Sequence, residues 1–289
     1  MAGVKPISQL PVSIPAELGS DALHRTESLL ALGPRDSGTD GAARAARWLA
    51  SALSASGLEP RIDAFLDATP TGSTPFRNVL AEWPGREPEW VVLLSHYDTK
   101  SGVSADFAGA NDGGSSTGLL LALADLIVKR GNTPRRGVQF AFLDGEECLR
   151  SYADDDGLHG SKRLAAQWRT SSRQVSAVIL LDMIGDAHLT FTVPRNSSPA
   201  LKLLLFDAAQ AQHCRDRVTL FESDILDDHQ PFLDSGLPAI DLIDFRYGSR
   251  PGLNDYWHTP EDTLDKLSAA SLGQVGAVVL EMLHRLEAY

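Results

Sequence analysis

The sequence predicts an α/β protein: a three-layer α/β/α sandwich around a mixed, mainly parallel central sheet. Continuous apolar runs at 90–95, 138–143 and 177–181 read as strands covered on both faces, the habit of parallel sheets. Helical patterns separate those runs, and strands alternating with helices build such a sandwich. The third observation is where the chemistry falls. His96-Tyr97-Asp98, Asn111-Asp112, Glu146-Glu147, Asp182 and Trp257-His258 follow apolar runs or the loops beyond them. Open α/β sheets keep their ligand sites at that carboxyl rim.

The elements follow in order. Residues 20–32 and 41–56 have the spacing of amphipathic helices, the second placing Ala43, Ala46, Leu49 and Leu53 on one face. Pro34 and the cluster Gly38-Thr39-Asp40-Gly41 break them. Extended segments are expected around 59–66 and 77–83, and 239–243 is a weaker strand pattern. Helices are expected at 117–130, 160–169, 199–213 and 265–286. No repeat, low-complexity tract or polar linker divides the 289 residues. The reading is one catalytic domain over 1–289, with 1–20 as an extended N-terminal segment.

The net charge of -12 argues against a nucleic-acid backbone or an anionic membrane as partner. No apolar run approaches membrane-spanning length. Residues 1–18 lack the basic start and apolar core of a signal peptide, which leaves the cytoplasm, or export after loss of a leader. A monomer is expected. Cys148 and Cys214 lie far apart, and spacing alone leaves their pairing open. Cys148, next to Glu146-Glu147, reads as a packed thiol rather than a metal ligand.

Each candidate has a plainer reading beside it. His96 and Asp98 could be a hydrogen-bonded pair, with Asp98 orienting the imidazole rather than binding a metal. Asp112, in Gly109-Ala110-Asn111-Asp112-Gly113-Gly114, could cap a helix, or its glycines could let the backbone wrap a metal. Glu146-Glu147 leave a buried strand, so alternating side chains suit one glutamate as ligand and the other as general acid/base. Asp182 ends an apolar run where an unpaired carboxylate is costly. Asp227-Asp228-His229 could cap the helix starting near Gln230, although three ionisable groups exceed what a cap requires. Trp257 could be core or a pocket wall, and His258 sits in a loop rich in Asn, Asp and Pro.

As a set, these motifs resemble the zinc exopeptidase clan, whose sheet carries His, bridging Asp, Glu-Glu, Asp and His in that order. The resemblance runs from about Asn78 to about Leu267. Within the clan, His96-Tyr97-Asp98-Thr99-Lys100, the stretch from Tyr152 to Ser161, Asp227-Asp228-His229-Gln230-Pro231-Phe232-Leu233 and Trp257-His258-Thr259 are similar to the glutaminyl cyclases. That resemblance implies conversion of N-terminal glutamine to pyroglutamate with release of ammonia. It implies one zinc on Asp112, Glu147 and His258, with Glu146, Asp182 and Asp227 as catalytic carboxylates. It also implies substrate contacts from Trp257, Tyr152, Asp228 and Leu253. The aminopeptidase pattern implies instead two zincs, with His96, Asp112 and Asp182 holding the second, and hydrolysis of the N-terminal residue. Both imply peptide or protein substrates with a free N-terminus. A non-catalytic relative that only binds is a third reading. The chain departs from animal cyclases at Tyr152 (tryptophan there), Asp241 (histidine) and Leu253 (phenylalanine), and the residues around His258 look more peptidase-like.

Overall fold

Alternate residues of the apolar runs feed two separate cores. The structure is a computed structural model that describes residues 11–289. In β3 (Glu89–His96), Val91 and Leu93 point into the larger core, whereas Trp90, Val92 and Leu94 point into the smaller one. In β5 (Gln174–Asp182), Ile179 and Leu181 face the first and Val178 and Leu180 the second. A strand covered on both sides has no polar face, which is why these runs lack alternation.

The remaining strands are β1 (Arg61–Thr69), β2 (Gly72–Trp83), β4 (Gly137–Leu143), β6 (Phe191–Val193), β7 (Val218–Leu220) and β8 (Ala239–Ile243). The sheet runs β1-β2-β4-β3-β5-β8-β6-β7. Its centre, β4-β3-β5-β8, is parallel. The pairs β1–β2, β2–β4 and β6–β8 are antiparallel, and β7 runs parallel to β6. The larger core lies under α1 (Leu18–Leu30), α2 (Asp40–Ala55), α3 (Ser116–Arg130), α5 (Pro199–Ala211) and α7 (Ala269–Arg285). The smaller lies under α4 (His159–Thr170) and α6 (Gln230–Asp234), through Leu164, Trp168 and Phe232. The expected mixed sandwich is the observed one. Among the described residues no helix is long and apolar enough to cross a membrane.

Some expectations change. Helix α1 already starts at Leu18, so the extended segment expected over 1–20 is shorter, and its residues 1–10 lie outside the described residues. The helix expected over 265–286 divides. A short 3-10 turn, Leu264–Lys266, precedes α7, whose start is set by Ser268 accepting the Ala270 N–H at 3.1 Å. Strands β6 and β7 leave no pattern in the sequence, since three residues each are too few to show a period. Cys148 and Cys214 are both buried and free.

Candidate active site

Because the four central strands are parallel, their carboxyl ends share one rim. His96 is the last residue of β3 and Asp182 the last of β5, and Glu146-Glu147 follow β4 after Asp144-Gly145. His96 Nε2 lies 3.2 Å from Asp112 Oδ1 and 3.2 Å from Asp182 Oδ1, all of them buried. Its Nδ1 is 3.5 Å from Asp98 Oδ1. Asp98 also accepts the backbone N–H groups of Glu146 (3.2 Å) and Glu147 (3.1 Å), so one carboxylate ties the end of β3 to the glutamate pair.

Asp112 lies in a single π-type turn, Ala110–Ser115, ahead of α3. Gly113 beside it has φ +73°, and a Cβ there would come within 2.8 Å of His96 Cε1. Only glycine allows that approach. The helix-cap alternative for Asp112 is not what forms: the residue preceding α3 is Ser115, with no side-chain cap bond. Nor do the side chains of Asp227-Asp228-His229 cap α6, where the N-cap residue His229 makes no cap bond. Asp262, missed as a site residue from the sequence, accepts the N–H groups of Asn111 (2.7 Å) and Asp112 (3.2 Å) and the Tyr247 hydroxyl (2.9 Å). Its only signal was its place four residues behind His258.

His258 stands in the loop after β8 with φ +56°, a left-handed conformation that costs a non-glycine residue about 1–3 kcal/mol. Its Nε2 lies 3.0 Å from Glu147 Oε1 and 3.2 Å from Asp112 Oδ2. Two triplets thus offer ligand atoms within 4.8 Å of one another: His96, Asp112, Asp182 and Asp112, Glu147, His258. Asp112 presents one oxygen to each. Imidazole nitrogen with carboxylate oxygen is a donor set for zinc. Asp112 Oδ2 and Glu147 Oε2 are buried with one ionic neighbour each, His258 Nε2 at 3.2 Å and Lys100 Nζ at 3.4 Å, and a cation would offset the carboxylate charge gathered there. The residues fit the metal.

The protonation pattern points the same way. Burial would raise the Asp112 pKa, but His258 and His96 pull it well below the usual carboxylate range. Burial, then Asp112, pushes Glu147 up to about 7 against the pull of His258. Burial works to lower His258, yet Asp112 and Glu147 hold it at about 9. Glu146 is raised well above the usual range by burial first, then by Glu147 and Asp227. Its Oε1 accepts the Tyr152 hydroxyl at 2.8 Å. Asp182 and Asp227 are likewise raised, burial again leading.

A cavity of about 280 Å³ opens onto this cluster, lined by Asp112, Glu146, Glu147, Asp182, Asp227 and His258. Tyr152 and Trp257 form its aromatic walls, joined by Phe221 and Phe245, which the sequence did not mark. Trp257 stacks on His258 with ring centroids 4.1 Å apart. His96 lies behind this lining. Two expected substrate contacts do not reach the cavity. Leu253 is 44% exposed on a loop away from it, and Asp228 is fully buried beneath it. Asp241 is also fully buried, with Asp241 Oδ2 3.9 Å from His229 Nδ1, so its departure from the cyclase pattern lies under the pocket floor. Cys148 accepts at Sγ from Lys100 Nζ at 3.2 Å, and that ammonium sits 3.4 Å from Glu147 Oε2.

The sequence pattern of Peptidase family M28 matches residues 78–283. The crystal structure of a glutaminyl cyclase from an Acidobacteriales bacterium superposes with a TM-score of 0.88 at 34% identity, covering 99% of each chain. The glutaminyl cyclase of Porphyromonas gingivalis gives 0.84 at 27% identity, covering 94% of this chain and all (100%) of that one. The glutaminyl-peptide cyclotransferase of Drosophila melanogaster is 25% identical over 90% of this chain and 79% of its own length. The matched pattern covers every residue of both metal-ligand triplets, and the chain belongs to peptidase family M28, in its glutaminyl cyclase branch.

Proposed function

We propose that this protein is a zinc-dependent glutaminyl-peptide cyclotransferase acting on peptides or proteins that begin with glutamine. The observation that carries the reading is Glu146: buried, its pKa raised well above the ordinary glutamate range by burial and then by Glu147 and Asp227, and facing a small aromatic-walled cavity beside the Asp112, Glu147, His258 set. The 34% identity to a glutaminyl cyclase over nearly the whole chain supports the same reaction.

One zinc on Asp112, Glu147 and His258 would supply Lewis-acid polarisation of the γ-carboxamide carbonyl. The chain's own residues do the rest. Trp257, Phe245 and Tyr152 confine the glutamine side chain so that its α-amine can reach the γ-carbon. Glu146 takes a proton from the attacking amine and returns it to the departing amide nitrogen, so the ring closes and ammonia leaves. Asp182 and Asp227 line the same cavity, and Asp227's charge helps raise the Glu146 pKa. Tyr152 holds Glu146 Oε1 in place. No water enters the products.

The His96, Asp112, Asp182 set is the one observation favouring the alternative, a di-zinc aminopeptidase. Mass spectrometry of zinc-loaded enzyme with Gln-, Ala- and Leu-headed peptides separates the two. Ammonia loss from Gln peptides alone is the expected result. Release of a free N-terminal residue assigns the hydrolase.

A further inference from the structure

Beside the active-site cavity lies a second one of about 410 Å³, and Tyr152 and Leu226 line both. Leu226, 49% exposed, stands on the ridge that the two linings share. The floor of the second cavity is apolar, from Leu158 and Pro231, and its rim carries Asp154 and Asp234. Among the described residues neither rim carboxylate has a cationic partner. Lys162, the one cation in the lining, spends its ammonium on the carbonyls of Ala153 (2.9 Å), Asp154 (3.1 Å) and Gly157 (2.9 Å). Asp156, also in the lining, is consumed by the backbone N–H groups of Leu149, Arg150 and Ser151. The trough is thus apolar at its floor and carries three carboxylates against one ammonium, with Asp154 and Asp234 lacking a direct cationic partner among the described residues.

We propose that this trough is a substrate subsite that takes the side chain of the third residue of the peptide and favours lysine or arginine there. The inference rests on the cyclisation reading above. In an extended peptide, residues one and three face the same side and lie roughly 6–7 Å apart, enough to cross the Tyr152–Leu226 ridge. A lysine or arginine lays its hydrocarbon stem on an apolar floor and keeps its charged head at the rim. That matches Leu158 and Pro231 below with Asp154 and Asp234 above.

The test compares kcat/KM for Gln-Ala-Lys-Ala, Gln-Ala-Ala-Ala and Gln-Ala-Glu-Ala, with the dipeptide Gln-Ala as a substrate too short to reach the trough. Zinc-loaded wild type and the double variant Asp154→Asn/Asp234→Asn are measured side by side. Lysine is expected to exceed glutamate by about three- to tenfold, mainly through KM, because exposed ion pairs are individually weak. The double variant should abolish that ratio, since it removes the rim charge, while Gln-Ala turnover stays unchanged. A lysine preference that survives the double variant, or no preference while Gln-Ala cyclises normally, overturns the subsite alone. If Gln-Ala itself loses no ammonia, the cyclisation reading falls and the subsite with it.

Discussion

The two ligand triplets share Asp112 but live in different surroundings. The inner one, His96 with Asp112 and Asp182, takes two of its members from strand ends and is buried throughout, with His96 behind the cavity lining. The outer one, Asp112 with Glu147 and His258, has its histidine on a loop, 21% exposed at the side chain, and faces the cavity directly. The inner set holds Asp112 from behind through His96, and the outer set brings its histidine to the cavity. A second contrast follows from backbone conformation. His96 occupies an ordinary strand end, whereas His258 is held at φ +56°. Strain of that kind persists only where surrounding structure enforces it.

Substituting the proton carrier should have the largest effect. Glu146→Gln is expected to lower kcat by about 10²–10⁴-fold with zinc content unchanged by elemental analysis. Near-normal turnover would remove Glu146 from the proton path. Next come the two histidines. His258→Ala should abolish zinc retention and turnover together, because a first ligand is gone. His96→Ala should retain zinc with about 10–100-fold weaker affinity, the cost of losing a group that orients a ligand. Equal loss from both variants would erase the distinction between the triplets and favour a two-metal centre.

Proton competition gives a smaller, graded effect. His258 keeps its proton up to about 9 in the metal-free protein, and zinc must displace it. Zinc affinity, read by chelator competition, should therefore rise with pH and level off near 9. A flat profile between about pH 6 and about pH 9 would count against His258 as a ligand. The sign for stability is opposite. A raised histidine pKa stabilises the metal-free fold fully below the ordinary histidine value, and that contribution is lost as pH rises through about 9. The smallest change is Tyr152→Phe, which removes the 2.8 Å bond to Glu146. It should cost about tenfold or less in kcat and move the acid limb of the rate profile upward, since a hydrogen bond favouring the ionised carboxylate is gone. A profile that does not move would reduce Tyr152 to a wall of the pocket.

The inner triplet was more legible than the outer surroundings, for a physical reason. His96 and Asp182 end apolar runs whose two-sided burial suppresses polar residues, so a single charge at the end stands out. The loops after β8 carry no such background, and Leu253 could be placed at the pocket only by resemblance. The structure puts it on an exposed loop instead. Asp228 followed the same course: its neighbour Asp227 lines the cavity, while Asp228 is turned into the interior. Adjacent residues with opposite fates cannot be told apart by composition. Phe221 and Phe245 lie in segments with no strong period, and Asp262 acts on the site through the backbone N–H groups of Asn111 and Asp112, 151 and 150 residues away in the chain.

By itself the sequence determined the parallel centre of the sheet, the order of the ligand motifs along it and the acidic character of the rim. Each of these is a local property of hydrophobic period and residue type. Tertiary structure alone decided that Asp112 presents an oxygen to each of two histidines and that Gly113 must lack a side chain beside His96. It also decided which of two neighbouring aspartates reaches the pocket, and that a second trough adjoins the first across Tyr152 and Leu226. These depend on close approaches between segments far apart in the chain, where the direction of one side chain, a matter of an ångström or two, decides between a ligand and a buried bystander.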